Sequence, residues 1–260
     1  MTAPGPAAED SPAARPAAGI QSLGRAMRTL ETIAAHGGVL GVSHIAAHAG
    51  LTVPTVHRIV RTLVDLGYLR QEPSRQYALG PRLLLLADST SSMMKNAAHP
   101  HLGRLVDELG ETANLAMLDG GQVAYVAQVP SRHSMRMFTE VGKRVLPHCT
   151  AVGKALLAGT PVDQVRILLQ RNGMPRWTYH TITDPEVYLD QLAAVARDGF
   201  AIDDGEQEVG VRCVAVPVPG APVGLALSVS GPAPRMTAEF VDRAVPLLRA
   251  TGSALAADLA

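Results

Sequence analysis

The chain has 260 residues, enough for one large domain or two modest ones, and 47% are apolar, which excludes global disorder. No run approaches the ~20 apolar residues of a membrane span, and Cys149 and Cys213 are too few for a disulfide framework, which excludes a secreted miniprotein. The net charge of zero hides unlike halves: residues 1–95 carry nine basic against six acidic side chains, the remainder fourteen against seventeen.

Residues 1–19 hold seven Ala and four Pro without apolar periodicity and are expected to form a disordered leader. They lack a basic flank followed by an apolar segment, so no secretion signal is expected and the protein is placed in the cytoplasm. From Gln21 to His36 the positions Leu23, Met27, Leu30, Ile33 and Ala34 recur at helical spacing, and His36-Gly37-Gly38 stops the run. A second helix has Ser43 as its expected N-cap and Ile45, Ala46 and Ala49 as its inner face. Gly50 breaks it. A third helix starts at Thr52 or Val53, with Pro54 in its first turn, and runs to about Leu66. It buries Val56, Ile59, Val60 and Leu63 and exposes Thr55, Arg58, Thr62 and Asp65, with His57 and Arg61 beside them. Residues 68–70 and 76–79 bracket the turn Glu72-Pro73-Ser74-Arg75, the pattern of a β-hairpin. Pro81 opens a further helix toward Lys95, apolar enough at Leu83–Leu86 to pack on a partner.

Two short helices that cross at a fixed angle need a small residue at the crossing, a turn residue tolerant of positive φ, and an apolar lock. Ala46, Gly50 and the set Ile45, Ala49, Leu51, Val56 and Ile59 supply these, the spacing of a DNA-binding helix-turn-helix. Between Gln21 and Arg82 there are seven arginines, no lysine and three acids, and arginine forks well onto phosphate and guanine. The predicted DNA contacts are Val53, Pro54, Thr55, His57, Arg58 and Arg61 on the third helix and Arg70 and Arg75 on the hairpin wing. The alternative is an ordinary helical hairpin with a solvated face.

Beyond residue 96 the pattern is mixed α/β. Helices are expected at 100–109, 150–158, 161–170, 185–198 and 236–259. Strands are expected at 111–118, 123–129, within 135–140, and at 200–203, 211–218 and 223–230. Alternation places Leu225, Leu227 and Val229 on one face and Ala226, Ser228 and Ser230 on the other; Cys213 and Ala215 likewise oppose Val214 and Val216. Small, weakly polar side chains on one face suit a small-ligand pocket, or a close-packed helix. In the acidic run 203–208, Asp204, Glu206 and Glu208 are expected in solvent, and Asp203 at a strand end as the exception. Trp177 and Tyr179 are expected in a core, with a ligand entrance as the alternative.

Other chemistries leave weaker traces. Cys213 lacks a histidine signature beside it, so a cysteine hydrolase is only an alternative, as is a metabolite-binding scaffold without DNA. His148-Cys149 has no CxxC or HxxxH companion, so no metal is expected. Val152-Gly153-Lys154-Ala155 lacks the first glycine and the Ser/Thr of a phosphate loop, and no nucleotide cofactor is expected.

The segments QSLGRAMRTLETIA (21–34), TVHRIVRTLVDLGYL (55–69), YALGPRLL (77–84), GETANLAMLDGGQVAYV (110–126), HCTAVGKALLA (148–158), HTITDP (180–185), GVRCVAVPV (210–218) and LSVSGP (227–232) together resemble the IclR-type bacterial transcription regulators. The resemblance runs from about Gln21 to the C-terminus. It implies a two-domain protein: a winged helix-turn-helix at 20–80, a linker helix at 81–96, and an α/β (α+β) GAF-like effector-binding domain at 97–260. It also implies a homodimer or homotetramer, nucleoid-associated in the cytoplasm, acting on a pseudo-palindromic DNA operator, most simply as a repressor. The effector would be a small carboxylate such as a glyoxylate-like acid. By position it would meet Ala151, Val152, Asp203, Cys213, Ser228 and Ser230. Related small-acid sensors often have Gly-Ala where this chain has Ala151-Val152.

Overall fold

The computed structural model describes residues 20–137, 140–221 and 223–259; the leader expected at 1–19 lies outside them. The chain divides into two units, one ending at Leu85 and one beginning at Leu86.

In the first unit, helix α1 spans Gln21–Ala35 and buries Thr29, Leu30 and Ile33. Of its periodic apolar positions, Leu23, Met27 and Ala34 are exposed rather than buried. Helix α2 covers Val42–Ala49; its N-cap is Gly41, so Ser43 lies inside the first turn and does not cap it. Helix α3 covers Val53–Asp65 with Thr52 at the N-cap and Pro54 in the first turn, where a missing N–H costs nothing. Strands β1 (Val39–Leu40), β2 (Leu69–Gln71) and β3 (Tyr77–Leu79) form a sheet of order β1-β3-β2. The third strand, β1, has no counterpart among the expected elements, because two residues carry no periodicity. Ile33, Ile45, Val56, Val60 and Leu69 lock helices to wing, each buried aliphatic contributing about 1.5–3 kcal/mol.

Helix α4 runs unbroken over Arg82–Leu109, with Pro100 inside it. The linker helix and the separate helix expected at 100–109 are therefore one. Pro100 removes a hydrogen bond, yet Ala98, Leu102, Leu105 and Val106 are buried around it, and that packing carries the helix through.

The second unit is a six-stranded antiparallel sheet of order β6-β5-β4-β9-β8-β7. Its strands are β4 (Thr112–Asp119), β5 (Gln122–Val129), β6 (Arg144–Val145), β7 (Ala201–Asp204), β8 (Val211–Pro217) and β9 (Leu225–Pro232). Among the described residues of 135–140 there is no strand: 135–137 and 140 are irregular, 138–139 lie outside the described residues, and the edge strand is β6. Helices α5 (Ala151–Leu157), α6 (Val162–Asn172), α7 (Pro185–Asp198) and α8 (Ala238–Leu259) complete the unit.

The sheet is buried on both faces. Leu115, Val214, Leu227 and Val229 meet Leu102 and Leu105 of α4 and Val241 and Leu248 of α8. Ala116, Cys213, Ala215 and Ala226 meet Ala151, Val152 and Ala155 of α5 and Val195 of α7. The alternation expected in β8 and β9 is thus realised, and the small face receives a helix. A two-domain chain of this kind, a winged helix-turn-helix followed by an α/β unit, is what the motifs predict; the first unit is not all-α as expected, because the wing and β1 give it a small sheet.

Candidate functional site

The first unit presents a cationic ridge. Gly50 takes the left-handed conformation (φ 64) between α2 and α3, and its N–H caps α2 at the carbonyl of Ala46, which sets the angle between the helices. Thr52 and Thr55 share a hydroxyl hydrogen bond of 2.9 Å, so Thr55 is half-buried in the entry turn. Val53, Pro54, His57, Arg58 and Arg61 are exposed. A groove of about 430 Å³ opens between α3 and the wing, lined by His57, Arg58, Arg61, Val64, Asp65, Gln71 and Tyr77. Arg70 stands on β2 and pairs with Glu72 at 2.7 Å, which neutralises part of its charge. Arg75 ends the turn: its N–H donates to Glu72 O at 2.9 Å and its φ is 62, a left-handed backbone without glycine. A side chain there costs about 1 kcal/mol. The structure thus gathers His57, Arg58 and Arg61 at one groove and sets Arg75 at the wing tip.

In the second unit, the polar residues of the small face form a row. Asp203, Cys213 and Ser230 are successive register partners across β7, β8 and β9, and Ser228 is the partner of Ala215. All are buried, as are Ala151 and Val152 at the start of α5, so the structure brings the six expected effector residues into one layer. Asn114 on β4 lies across from Ser228 and was invisible as a site residue in the sequence. Its amide donates to Ser228 Oγ at 3.4 Å and Ser230 Oγ at 3.2 Å, while its carbonyl accepts from Gln128 at 3.0 Å. Both oxygens accept from this amide, and Ser228 also hydrogen-bonds the Cys213 side chain.

Asp203 accepts from the Glu206 N–H at 2.8 Å, yet burial dominates and lifts its carboxyl to about 7. Burial likewise pushes the Cys149 and Cys213 thiols up to about 12, so neither is a thiolate nucleophile at neutral pH. Glu206 corrects the expectation of a solvated acidic run. It is buried and pairs with Lys154 at 2.5 Å, while Asp204 and Glu208 are exposed as expected. Lys154 Nζ also donates to Ile202 O at 2.9 Å, so one ammonium clamps both flanks of Asp203. The backbone carbonyl of Glu206 is held by Thr181 Oγ1 at 2.7 Å and Thr178 Oγ1 at 3.4 Å. Beside those threonines, Trp177 and Tyr179 are exposed and take no part in a core. Among the described residues no three His, Cys, Asp or Glu gather to hold a metal, and no helix is long and apolar enough to cross a membrane.

Two family models cover most of the chain: the IclR helix-turn-helix domain over residues 22–73 and the bacterial transcriptional regulator IclR C-terminal domain over 89–257. The chain belongs to the IclR family of transcriptional regulators. It is 34% identical over 256 residues to the transcriptional repressor IclR of Escherichia coli K12, covering 93% of this chain and 92% of that protein. Its structure is similar to that of Thermotoga maritima IclR, with a TM-score of 0.62, 26% identity, and coverage of 92% and 98% of the two chains. An IclR homologue from Microbacterium hydrocarbonoxydans, complexed with 4-hydroxybenzoate, gives a TM-score of 0.60 at 28% identity over 92% of this chain and 99% of that one. IclR-family proteins are regulators that bind DNA, not enzymes, and the hydrolase alternative falls away.

Proposed function

We propose that this IclR-family protein is a cytoplasmic, nucleoid-associated repressor that binds a pseudo-palindromic operator as a homodimer or homotetramer and is retuned by a small carboxylate. The observation that carries this reading is the groove of His57, Arg58 and Arg61 beside a wing whose tip residue keeps a left-handed backbone with an arginine on it. Residues 20–80 are assigned to DNA, 81–96 to the linker and 97–260 to the effector. Val53, Pro54, Thr55 and Arg70 frame the contacts made by His57, Arg58, Arg61 and Arg75.

The effector sits against Ala151, Val152, Asp203, Cys213, Ser228 and Ser230, where the serine hydroxyls donate to its carboxylate. The 4-hydroxybenzoate held by the Microbacterium relative supports an acid of modest size. Exposed leucines at 84, 85 and 86 support self-association, since a monomer seldom leaves such a run in water. Effector binding changes DNA affinity only through unequal affinity for the two states of the assembly.

The test is a gel shift of the full chain on promoter fragments from its own neighbourhood, across ionic strengths, with and without small acids. Affinity no greater than for random duplex under every condition would refute the assignment.

A further inference from the structure

Glu206 Oε2 and His148 Nδ1 are buried without a hydrogen-bond partner among the described residues. Their chemistry can be assigned. His148 Nε2 lies 3.0 Å from Pro175 O, and a carbonyl only accepts, so Nε2 carries the proton and Nδ1 is a bare acceptor. Burial and the nearby charge of Lys154 lower the pKa of this imidazole and keep it neutral. Glu206 gives one oxygen to Lys154, and its other is again an acceptor without a donor. Lys154 has three N–H groups, and among the described residues two meet acceptors, Ile202 O and Glu206 Oε1. The Lys154–Glu206 pair thus leaves one unmatched acceptor and, among the described residues, one uncommitted ammonium hydrogen; His148, near enough to feel the Lys154 charge, adds a second unmatched acceptor. An unmatched buried acceptor is costly, so a donor that reaches it is favoured.

A carboxylate would answer the ammonium and be repelled by Glu206; an alkyl group would answer neither. A hydroxyl accepts from Nζ and donates to Oε2 or Nδ1. We propose that His148, Lys154 and Glu206 form a hydroxyl-binding subsite of the effector pocket, and that the effector is a hydroxylated small acid. The inference rests on the acid-sensor reading above, with the acid group on Ser228 and Ser230 and the hydroxyl in this corner. The Thr178 and Thr181 bonds to Glu206 O hold the corner's backbone, so it is formed before a ligand arrives.

Calorimetric titration of the full chain with matched pairs tests this: glycolate against acetate, lactate against propionate, 4-hydroxybenzoate against benzoate. In the wild type, the hydroxylated member of at least one pair should bind about tenfold tighter or more, because a site built for a hydroxyl strongly rejects the analogue lacking it. Glu206→Gln should abolish most of that preference. His148→Leu, which keeps the Lys154–Glu206 pair, should also reduce it and serves if the first variant fails to fold. Equal affinity within every pair that binds, or a preference unchanged in a folded variant, overturns the subsite and leaves the acid sensor standing. Binding of no acid by the wild type removes the acid sensor, and the subsite with it.

Discussion

Asp203 and Cys213 face each other as register partners on β7 and β8, and neither ionises readily, because burial lifts the carboxyl to about 7 and the thiol to about 12. The unfolded carboxyl titrates near ~3.9. The folded state therefore binds the extra proton between these values. The stabilisation from Asp203 is fully present below about 4 and is lost as pH rises through about 7. Asp203→Asn cannot ionise, so its melting temperature should gain on the wild type from pH 5 to pH 8. Parallel melting curves for the two proteins across that range would contradict the buried, protonated carboxyl.

Arg58→Ala and Arg61→Ala should each weaken specific operator binding by about 1–3 kcal/mol where the side chain reads a base, with fold and acid binding intact. Gel-shift affinities unchanged in both would take the groove out of recognition.

Arg75→Gly separates backbone from charge. Glycine relieves the left-handed strain at φ 62, so stability should rise by a few tenths to about 1 kcal/mol. DNA affinity should fall for specific and random duplex alike, and the slope of log affinity against log salt should flatten by about one. A variant that keeps the wild-type salt slope would place the wing tip off the phosphates.

Gly153→Ala inverts the usual rule for helices. In an open helix alanine stabilises by about 1 kcal/mol. At Gly153 a Cβ would stand 2.3 Å from Pro147 O, a backbone atom that cannot step aside. The variant should lose about 1–3 kcal/mol, of the order found for overpacked cores, measurable by urea denaturation. A melting temperature equal to the wild type's would mean that α5 does not lie so near the 147–149 turn.

Leu85→Glu should shift the protein toward monomer in analytical ultracentrifugation and cost operator affinity through lost bivalency, if the exposed leucines of α4 face a second copy. An unchanged sedimentation coefficient would move the self-association surface elsewhere.

The parts that were legible in the sequence are those fixed by neighbours a few residues apart. The helix-turn-helix is one: Ala46, Gly50 and Val56 each act within a turn or two. The faces of β8 and β9 are another, since alternation assigns Cys213, Ser228 and Ser230 without knowledge of what covers them. What escaped depends on distant partners. Glu206 looks solvated among acids, and only the fold delivers Lys154 to it from another element. Asn114 is an unremarkable strand residue until β9 lies beside it. Pro100 reads as the start of a separate helix, but burial on both sides of it outweighs the lost bond and α4 runs through. Leu23 and Met27 have the right spacing for a core face yet stay in water, because periodicity says which residues align and not what they meet.

Trp177 is the chain's single tryptophan. It is exposed, and its backbone N–H donates to the same Thr181 hydroxyl that holds Glu206 O. All indole emission therefore originates one residue from the clasp over the ionic corner. The native molecule is its own optical reporter, and a colour shift on mixing with a metabolite can be followed in a stopped-flow cell without attaching a dye.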